Sequence, residues 1–328
     1  MLLSVIVPVF NEEEVIKSFL QRTTSVLDTL SFDSEIFFVN DGSTDSTLDI
    51  LNQLKEHDPR ISIVDLSRNF GKEIAMTAGL DYCKGDAVVI IDADLQDPPE
   101  LIPELVQKWQ AGYDVVYAKR ISRKGESALR KLTSKAFYRV IKRVSHVPIP
   151  EDTGDFRLMS RRAVNALNSL RERNRYMKGL FAWIGYSQTA VLYHRDPRYA
   201  GESKWSYLSL WNLAIEGITS FTVAPLKLST YLGLLTATGA FLYGLWIIVK
   251  TLIYSDPVAG YPTMMVVILF LGGVQLLALG IIGEYLGRIF SESKQRPLYL
   301  VNELQKSASV EAVKKRGKVK GKRGKSKD

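Results

Sequence analysis

The sequence predicts an α/β domain, with helices packed on a mostly parallel sheet, followed by a two-helix transmembrane hairpin. Three observations predict it. Apolar, β-rich runs alternate with helical patterns through the first half of the 328 residues, the signature of strands joined by crossover helices. Three of those runs are followed by Asn11, Asp41 and Asp92, polar residues at the carboxyl ends where such sheets gather their ligands. Beyond Gly201 the composition turns apolar over two stretches long enough to cross a hydrocarbon layer.

Leu2–Val9, Glu35–Val39, Ile61–Leu66, Ala87–Ile91 and Val115–Ala118 are short and rich in Val and Ile, and predict strands. Between them Glu12–Leu30, Ser46–Glu56, Lys72–Cys83 and Pro99–Ala111 predict helices, the last with a proline at its start, where a missing donor is harmless. Ser229–Val249 and Thr263–Leu286 predict membrane spans, each reaching across roughly 30 Å at about 1.5 Å per residue. Buried core helices of a soluble domain are the alternative, but nothing else in the chain would cover such a hairpin. Ala128–Val144, in which Leu129, Leu132, Phe137, Val140 and Ile141 alternate with Arg130, Lys131, Lys135 and Arg139, and the Trp- and Leu-rich Trp205–Pro225 are amphipathic. Both suit the membrane interface or, alternatively, ordinary helices facing a core. The expected division is 1–203 for the α/β domain, 204–228 for juxtamembrane helices, 229–290 for the spans and 291–328 for a basic tail.

The 43 basic and 35 acidic residues give a net charge of +8. From Lys306 to Asp328 stand ten Lys or Arg and two acids, so the remaining 33 of each sign cancel and the excess is a tail. The tail has no aromatic residue for stacking, which argues against nucleic acid and for anionic lipid headgroups. One cysteine, Cys83, excludes an internal disulfide and a cysteine-rich metal site, and reads as a small buried residue. Met1–Phe10 reads as a strand, not a cleavable leader. The linker Tyr254–Pro262 holds Asp256 and no Lys or Arg, whereas Lys227, Arg288, Lys294, Arg296 and the tail are basic; Lys250 runs against this bias. The asymmetry predicts a multi-pass protein of the inner cell membrane with its domain and tail in the cytoplasm. Glu284 is expected to pair with Arg288 at helical spacing. Gly233, Gly239, Gly244, Gly272, Gly273 and Gly280 suit close packing between copies in a homo-oligomer.

The chemistry centres on Asp92-Ala93-Asp94-Leu95-Gln96, which closes the fourth strand. Two carboxylates and an amide oxygen spaced two apart on an extended segment project to one side. These are hard ligands for Mg2+ or Mn2+, which bind through one or two carboxylates and fill their shell with water and phosphate oxygens. The site therefore points to a nucleoside diphosphate, against the blander reading of a solvated turn. Asn40-Asp41-Gly42-Ser43-Thr44-Asp45 also reads as a turn with a helix cap. His57, His146 and His194 show no metal-ligand spacing.

Four motifs stand in chain order: Val7-Pro8-Val9-Phe10-Asn11-Glu12, Val39-Asn40-Asp41-Gly42-Ser43-Thr44-Asp45, Arg68-Asn69-Phe70-Gly71-Lys72 and Asp92-Ala93-Asp94-Leu95-Gln96. Together they resemble the family 2 glycosyltransferases, whose domain is of the Rossmann-like glycosyltransferase A type. The likeness continues through Thr153–Leu158, Arg198–Trp205 and Gly283–Arg288 with Arg296-Pro297, a pattern similar to the polyprenyl-phosphate hexosyltransferases and dolichyl-phosphate mannose synthases. The resemblance implies that Asp41 and Asp92 contact the nucleoside, that Pro8 and Glu12 line the base pocket, and that Lys72 belongs to the nucleotide-sugar site. It places Asp94 and Gln96, with Asp92, on the divalent ion, and Arg198 against the departing diphosphate. It gives Asp155 the role of base or sugar-positioning group. Arg120, Arg130 and Ser134 are implied to bind the acceptor phosphate, with Arg195 and Lys204 as helpers.

The expected activity is metal-dependent, inverting transfer of one hexose, glucose from a UDP-sugar donor, to a polyprenyl phosphate such as undecaprenyl phosphate. GDP-mannose-dependent mannosyl transfer to a dolichyl or polyprenyl phosphate is the nearest alternative. A processive polysaccharide synthase would carry Gln-x-x-Arg-Trp and more spans, and a carrier that flips lipid-linked sugar would need no metal motif.

Overall fold

The computed structural model describes residues 1–121, 150, 153–194, 222–254 and 260–307. Its strands are β1 (Leu2–Val9), β2 (Asp33–Asn40), β3 (Ile61–Leu66), β4 (Ala87–Ile90), β5 (Val115–Arg120), β6 (Thr153–Ser160), β7 (Gln188–Tyr193) and β8 (Val301–Gln305). They form one sheet in the order β7-β5-β6-β4-β1-β2-β3-β8. The helices are α1 (Ile16–Leu27), α2 (Thr47–His57), α3 (Lys72–Tyr82), α4 (Ile102–Gln110), α5 (Arg161–Ser169), α6 (Met177–Trp183), α7 (Ala224–Tyr254) and α8 (Tyr261–Ser293).

β1 is central, running parallel to both β2 and β4. Its Val5, Ile6 and Val7 are wholly buried, as apolar runs covered on both faces must be. α1 lays Ile16, Phe19, Leu20, Thr23 and Leu27 on one face, and Ile102, Leu105 and Val106 of α4 join the same cluster. α3 covers the opposite face with α5 and α6. Gly79 brings α3 so near the sheet that a Cβ there would lie 2.4 Å from Ile6 Cγ2.

The observed strands include the five expected ones and three more, β6, β7 and β8. Of the seven described pairings, four are parallel and three antiparallel. Every antiparallel pairing involves β6 or β8, so the sheet is more mixed than expected. α1 begins four residues later than the expected Glu12. The reason is local: the backbone N–H groups of Asn11, Glu12 and Glu13 are taken by Ser43 Oγ, Thr47 Oγ1 and Asp45 Oδ2, and Asn11 is left-handed at φ 54°. A 3₁₀ turn, Pro99–Leu101, precedes α4.

α7 and α8 are long and apolar enough to cross a membrane, and their span windows are not buried within the protein. Leu234, Leu235, Phe241, Leu269 and Leu276 are all exposed. α7 starts at Ala224, so the end of the segment expected to be juxtamembrane is already part of the first long helix. Arg288 reaches Glu284 Oε1 at 3.1 Å, one turn apart. The glycines of these helices expected at packing faces have no atom within 4 Å of an added Cβ, so they are not packed against the neighbouring helix. The basic tail expected from 291 also shortens. Residues 301–305 form β8 and pair antiparallel with β3, because the segment leaving α8 turns back onto the open edge of the sheet. The domain and the segment after the hairpin thus lie on one side of it. The amphipathic stretch 128–144, most of 205–225, His146 and the tail 308–328 lie outside the described residues.

Candidate active site

At the carboxyl end of the sheet the loops after β1, β2 and β3 are joined by side chains. Asn11 Oδ1 accepts Thr44 N at 2.8 Å, and Glu13 Oε2 accepts Ser46 N at 2.9 Å. Asp45 Oδ1 accepts Thr47 N at 3.0 Å, an Asx turn that satisfies the first amide of α2, while the N-cap Ser46 makes no side-chain cap bond. Asp41 is 3% exposed, and both its oxygens are engaged: Oδ1 accepts Phe70 N at 2.7 Å and Oδ2 accepts Gly71 N at 2.9 Å. Burial raises its pKa against those two hydrogen bonds. Gly42, at φ 66°, lies so close to the Arg68–Asn69 backbone that a Cβ would overlap it. Asp41 therefore shapes the loop that delivers Lys72 at the start of α3.

β4 and β6 pair antiparallel, the pair nearest the site being Ile90 opposite Arg157; Asp92 lies two residues after Ile90 and Asp155 two residues before Arg157. Lys72 Nζ lies between them, 2.7 Å from the Asp92 carboxylate and 2.6 Å from Asp155 Oδ2. Burial opposes charge on Lys72, but Asp155 and Asp92 outweigh it and hold the ammonium above its ordinary range. Burial would likewise raise Asp155, yet Lys72 and Lys178 of α6 pull it well below the usual carboxylate range. Asp92 is pushed up, by burial first and also by Asp155, with Lys72 opposing. Arg157, 4% exposed, donates to Gly154 O at 2.9 Å and Asp155 O at 3.3 Å while its guanidinium lies 3.6 Å from the centre of the Phe181 ring. It braces the backbone that carries Asp155.

Beyond β4 the chain turns instead of staying extended, because Leu95 is left-handed at φ 57° and Asp94 Oδ1 accepts Gln96 N at 3.1 Å. The alternation survives the turn: Ala93, Leu95 and Asp97 are buried while Asp92, Asp94 and Gln96 are half-buried. Among the described residues no three His, Cys, Asp or Glu side chains gather closely enough to hold a metal alone. Asp92 and Asp94 still offer the pair of hard ligands that a magnesium-type site draws from protein.

A third group lies beside this one. Arg120, ending β5, donates through Nε to Tyr193 Oη at 3.2 Å, and Tyr193 donates to Asp97 Oδ1. Arg120 also lies 3.9 Å from Asp97. Gly154 permits this approach, since a Cβ there would sit 3.1 Å from Arg120 Nη2.

The structure thus brings Lys72, Asp92 and Asp155 into contact and sets Arg120 near Asp97 and Gly154, next to Asp155. Pro8 sits half-buried on β1, and Glu12 caps the following loop, its carbonyl accepting Val15 N at 3.0 Å. Arg198, Arg130, Ser134, Arg195 and Lys204 lie outside the described residues. Sequence reasoning missed Asp97, Lys178 and Tyr193. Asp97 directly follows Gln96 and was within reach; Tyr193 and Lys178 belong to elements the pattern did not reveal.

Two family profiles match the chain: Glycosyl transferase family 2 over residues 4–167, and the GtrB C-terminal hairpin over 224–289. The chain belongs to glycosyl transferase family 2. It is 54% identical over 92% of its length to a Synechocystis sp. protein named as an uncharacterized glycosyltransferase, of which 95% is covered. It is 50% identical over 93% of its length to all of the bactoprenol glucosyl transferase of Shigella phage SfV. Among solved structures, glucosyl-3-phosphoglycerate synthase from Mycobacterium tuberculosis matches 66% of this chain and 77% of its own at 20% identity and a TM-score of 0.46. The protein is a glycosyltransferase whose sheet carries a carboxylate–lysine–carboxylate contact at its carboxyl end.

Proposed function

We propose that this glycosyltransferase moves one glucose from UDP-glucose onto a polyprenyl monophosphate such as undecaprenyl phosphate, with inversion, at the cytoplasmic face of the membrane. The observation that carries the reading is the joining, in one chain, of a family 2 domain and an apolar hairpin, shared over nearly full length with relatives named bactoprenol glucosyl transferase. A lipid acceptor needs a catalytic domain tethered at the bilayer surface, and self-association of α7 and α8 through their open glycine faces would add to that tether.

Asp92, Asp94 and Gln96 would hold Mg2+ or Mn2+. When bound, such an ion neutralises negative charge growing on the departing nucleoside diphosphate. Lys72 adds positive charge at the same place. Glycosyl transfer passes through a cationic, oxocarbenium-like state, for which the ionised Asp155 is a suitable neighbour. A general base works best with a pKa near the operating pH, and against burial Lys72 and Lys178 draw the Asp155 carboxyl below its ordinary range, which supports orienting the sugar over taking a proton. The acceptor needs no strong base, because a phosphate monoester with a second pKa near about 6 is already nucleophilic at neutral pH. Arg120, with Arg130 and Ser134, would receive that phosphate.

The test is transfer of labelled sugar by the purified chain in detergent, offering UDP-glucose, UDP-galactose and GDP-mannose against undecaprenyl phosphate. A single-sugar lipid formed from UDP-glucose is expected. Preference for GDP-mannose would overturn the donor, and a polymeric product would overturn single transfer.

A further inference from the structure

The segment leaving α8 touches the catalytic domain almost residue by residue. Glu292 Oε1 accepts Arg173 N at 2.7 Å, and Arg296 O accepts the Arg173 guanidinium. Tyr299 donates to Asp81 Oδ2 at 2.7 Å, on a carboxylate that Arg171 also grips with two bonds of 2.8 Å. Leu300 O accepts Ser67 N at 3.0 Å, β8 pairs with β3, and Ser307 N donates to Ser62 Oγ at 2.9 Å.

Two of these contacts end at the loops of the candidate site. Ser67 directly precedes Arg68–Gly71, the loop whose N–H groups Asp41 holds. Asn302 Nδ2 donates to Asp65 Oδ2 at 2.8 Å, Asp65 Oδ1 accepts Asn40 Nδ2 at 2.7 Å, and Asn40 Oδ1 accepts Ser43 N at 3.2 Å. Asp65 is 6% exposed and Asn40 1%. Asn302 is the exposed end of this relay; without its amide, Asp65 is held only from β2 and is freer to turn, and the Asn40 amide with it.

We propose that Asn302, which follows the membrane hairpin, is a positioning residue for the nucleotide-sugar donor, acting through Asp65 and Asn40 on the loop 40–45. The proposal rests on the functional reading above, together with the family resemblance that sets Asp41 of that loop against the nucleoside. Asp65 is the pivot: with one oxygen held by β8 and the other by β2, it fixes the Asn40 amide so that its oxygen meets Ser43 N. Donor affinity then depends on a side chain that never meets the donor.

The experiment uses the full chain in detergent, with UDP as the probe in calorimetry and both KM values measured. For Asn302→Ala, UDP affinity is expected to fall roughly ten-fold, the size of one lost hydrogen bond to a charged group. The donor KM should rise in parallel while kcat and acceptor KM hold. Asn302→Asp, which sets a second carboxylate against Asp65, should lose more, and Asn302→Gln, which keeps the amide, should recover part. Tyr299→Phe removes only the bond to Asp81, a contact of the same segment that lies outside the relay, and should leave UDP affinity unchanged. Equal UDP affinity in wild type and Asn302→Ala overturns the proposal alone, as does a joint rise of both KM values with a lowered melting temperature. Absence of UDP binding by the wild type overturns the functional reading and the proposal with it. Should Asn302→Ala fail to fold, the Gln and Asp variants carry the same comparison.

Discussion

The Lys72 ammonium lies between Asp92, just beyond β4, and Asp155 on β6, at 2.7 and 2.6 Å. Two carboxylates this close repel unless a cation intervenes. Lys72→Met removes that cation and should cut sugar transfer on the order of a hundred-fold, the scale of losing a charged group at the reacting centre. Lys72→Arg should retain more activity than Met. Wild-type rates in the Met variant would show that the contact is dispensable.

Asp94 and Gln96 sit half-buried beyond that contact. Chelation of divalent ions should abolish transfer, and added Mn2+ or Mg2+ should restore it. Asp94→Ala should weaken Mn2+ binding, measured by titration calorimetry in the presence of UDP, and should not be rescued by ordinary metal concentrations. Unaltered Mn2+ binding would remove Asp94 from the ligand set.

Tyr193 links Arg120 to Asp97 with a single hydroxyl. Tyr193→Phe keeps the ring and loses the link, so Arg120 is held to Asp97 only by their 3.9 Å ion pair. The acceptor KM is expected to rise several-fold, with donor affinity intact. A change confined to the donor would place Arg120 on the other substrate.

Glu35 is fully buried; one oxygen accepts from Ser4 Oγ and Lys84 N, and the other has no partner among the described residues. Burial raises its pKa above 4.5, against the hydrogen bonds from Ser4 and Lys84 and the charge of Arg161. A raised carboxyl stabilises the fold fully below its unfolded value and less as pH climbs through the folded one. Glu35→Gln should therefore gain melting temperature over wild type as pH rises from 4.5 towards neutrality. A gap independent of pH would mean that Glu35 does not titrate in this way.

Gly79 is the closest approach of α3 to the sheet, and a methyl there meets Ile6 Cγ2 at 2.4 Å and Val39 Cγ2 at 3.1 Å. Alanine favours a helix by up to about 1 kcal/mol, but overpacking a tight core costs about 1–3 kcal/mol. Gly79→Ala should be destabilising in denaturant titration.

β1 and β3 match the sequence reading residue for residue, because strands covered on both faces are mostly apolar, broken only by the buried Ser4 in β1 and Ser62 and Asp65 in β3. β6 could not be read that way. Thr153–Ser160 carries Asp155 and Arg157 in mid-strand, charges tolerated only because Lys72 and Phe181 meet them from other elements. β8, Val-Asn-Glu-Leu-Gln, is an edge strand whose identity lies in its partner β3. The motif residues announced the site's chemistry but not its wiring: Lys72 meets carboxylates 20 and 83 residues away, and no local pattern reports such distances. The left-handed Leu95 was equally hidden, since a buried leucine gives no sign of a turn.

β8 comes last in the order of synthesis. A growing chain exposes the bare rim of β3 until residue 305 has emerged, by which time both apolar helices have left the ribosome. Completion of the sheet is thereby tied to delivery of the hairpin, and a chain truncated within α8 would carry Asp92, Asp94 and Asp155 yet lack the brace that Asn302 gives to loop 40–45.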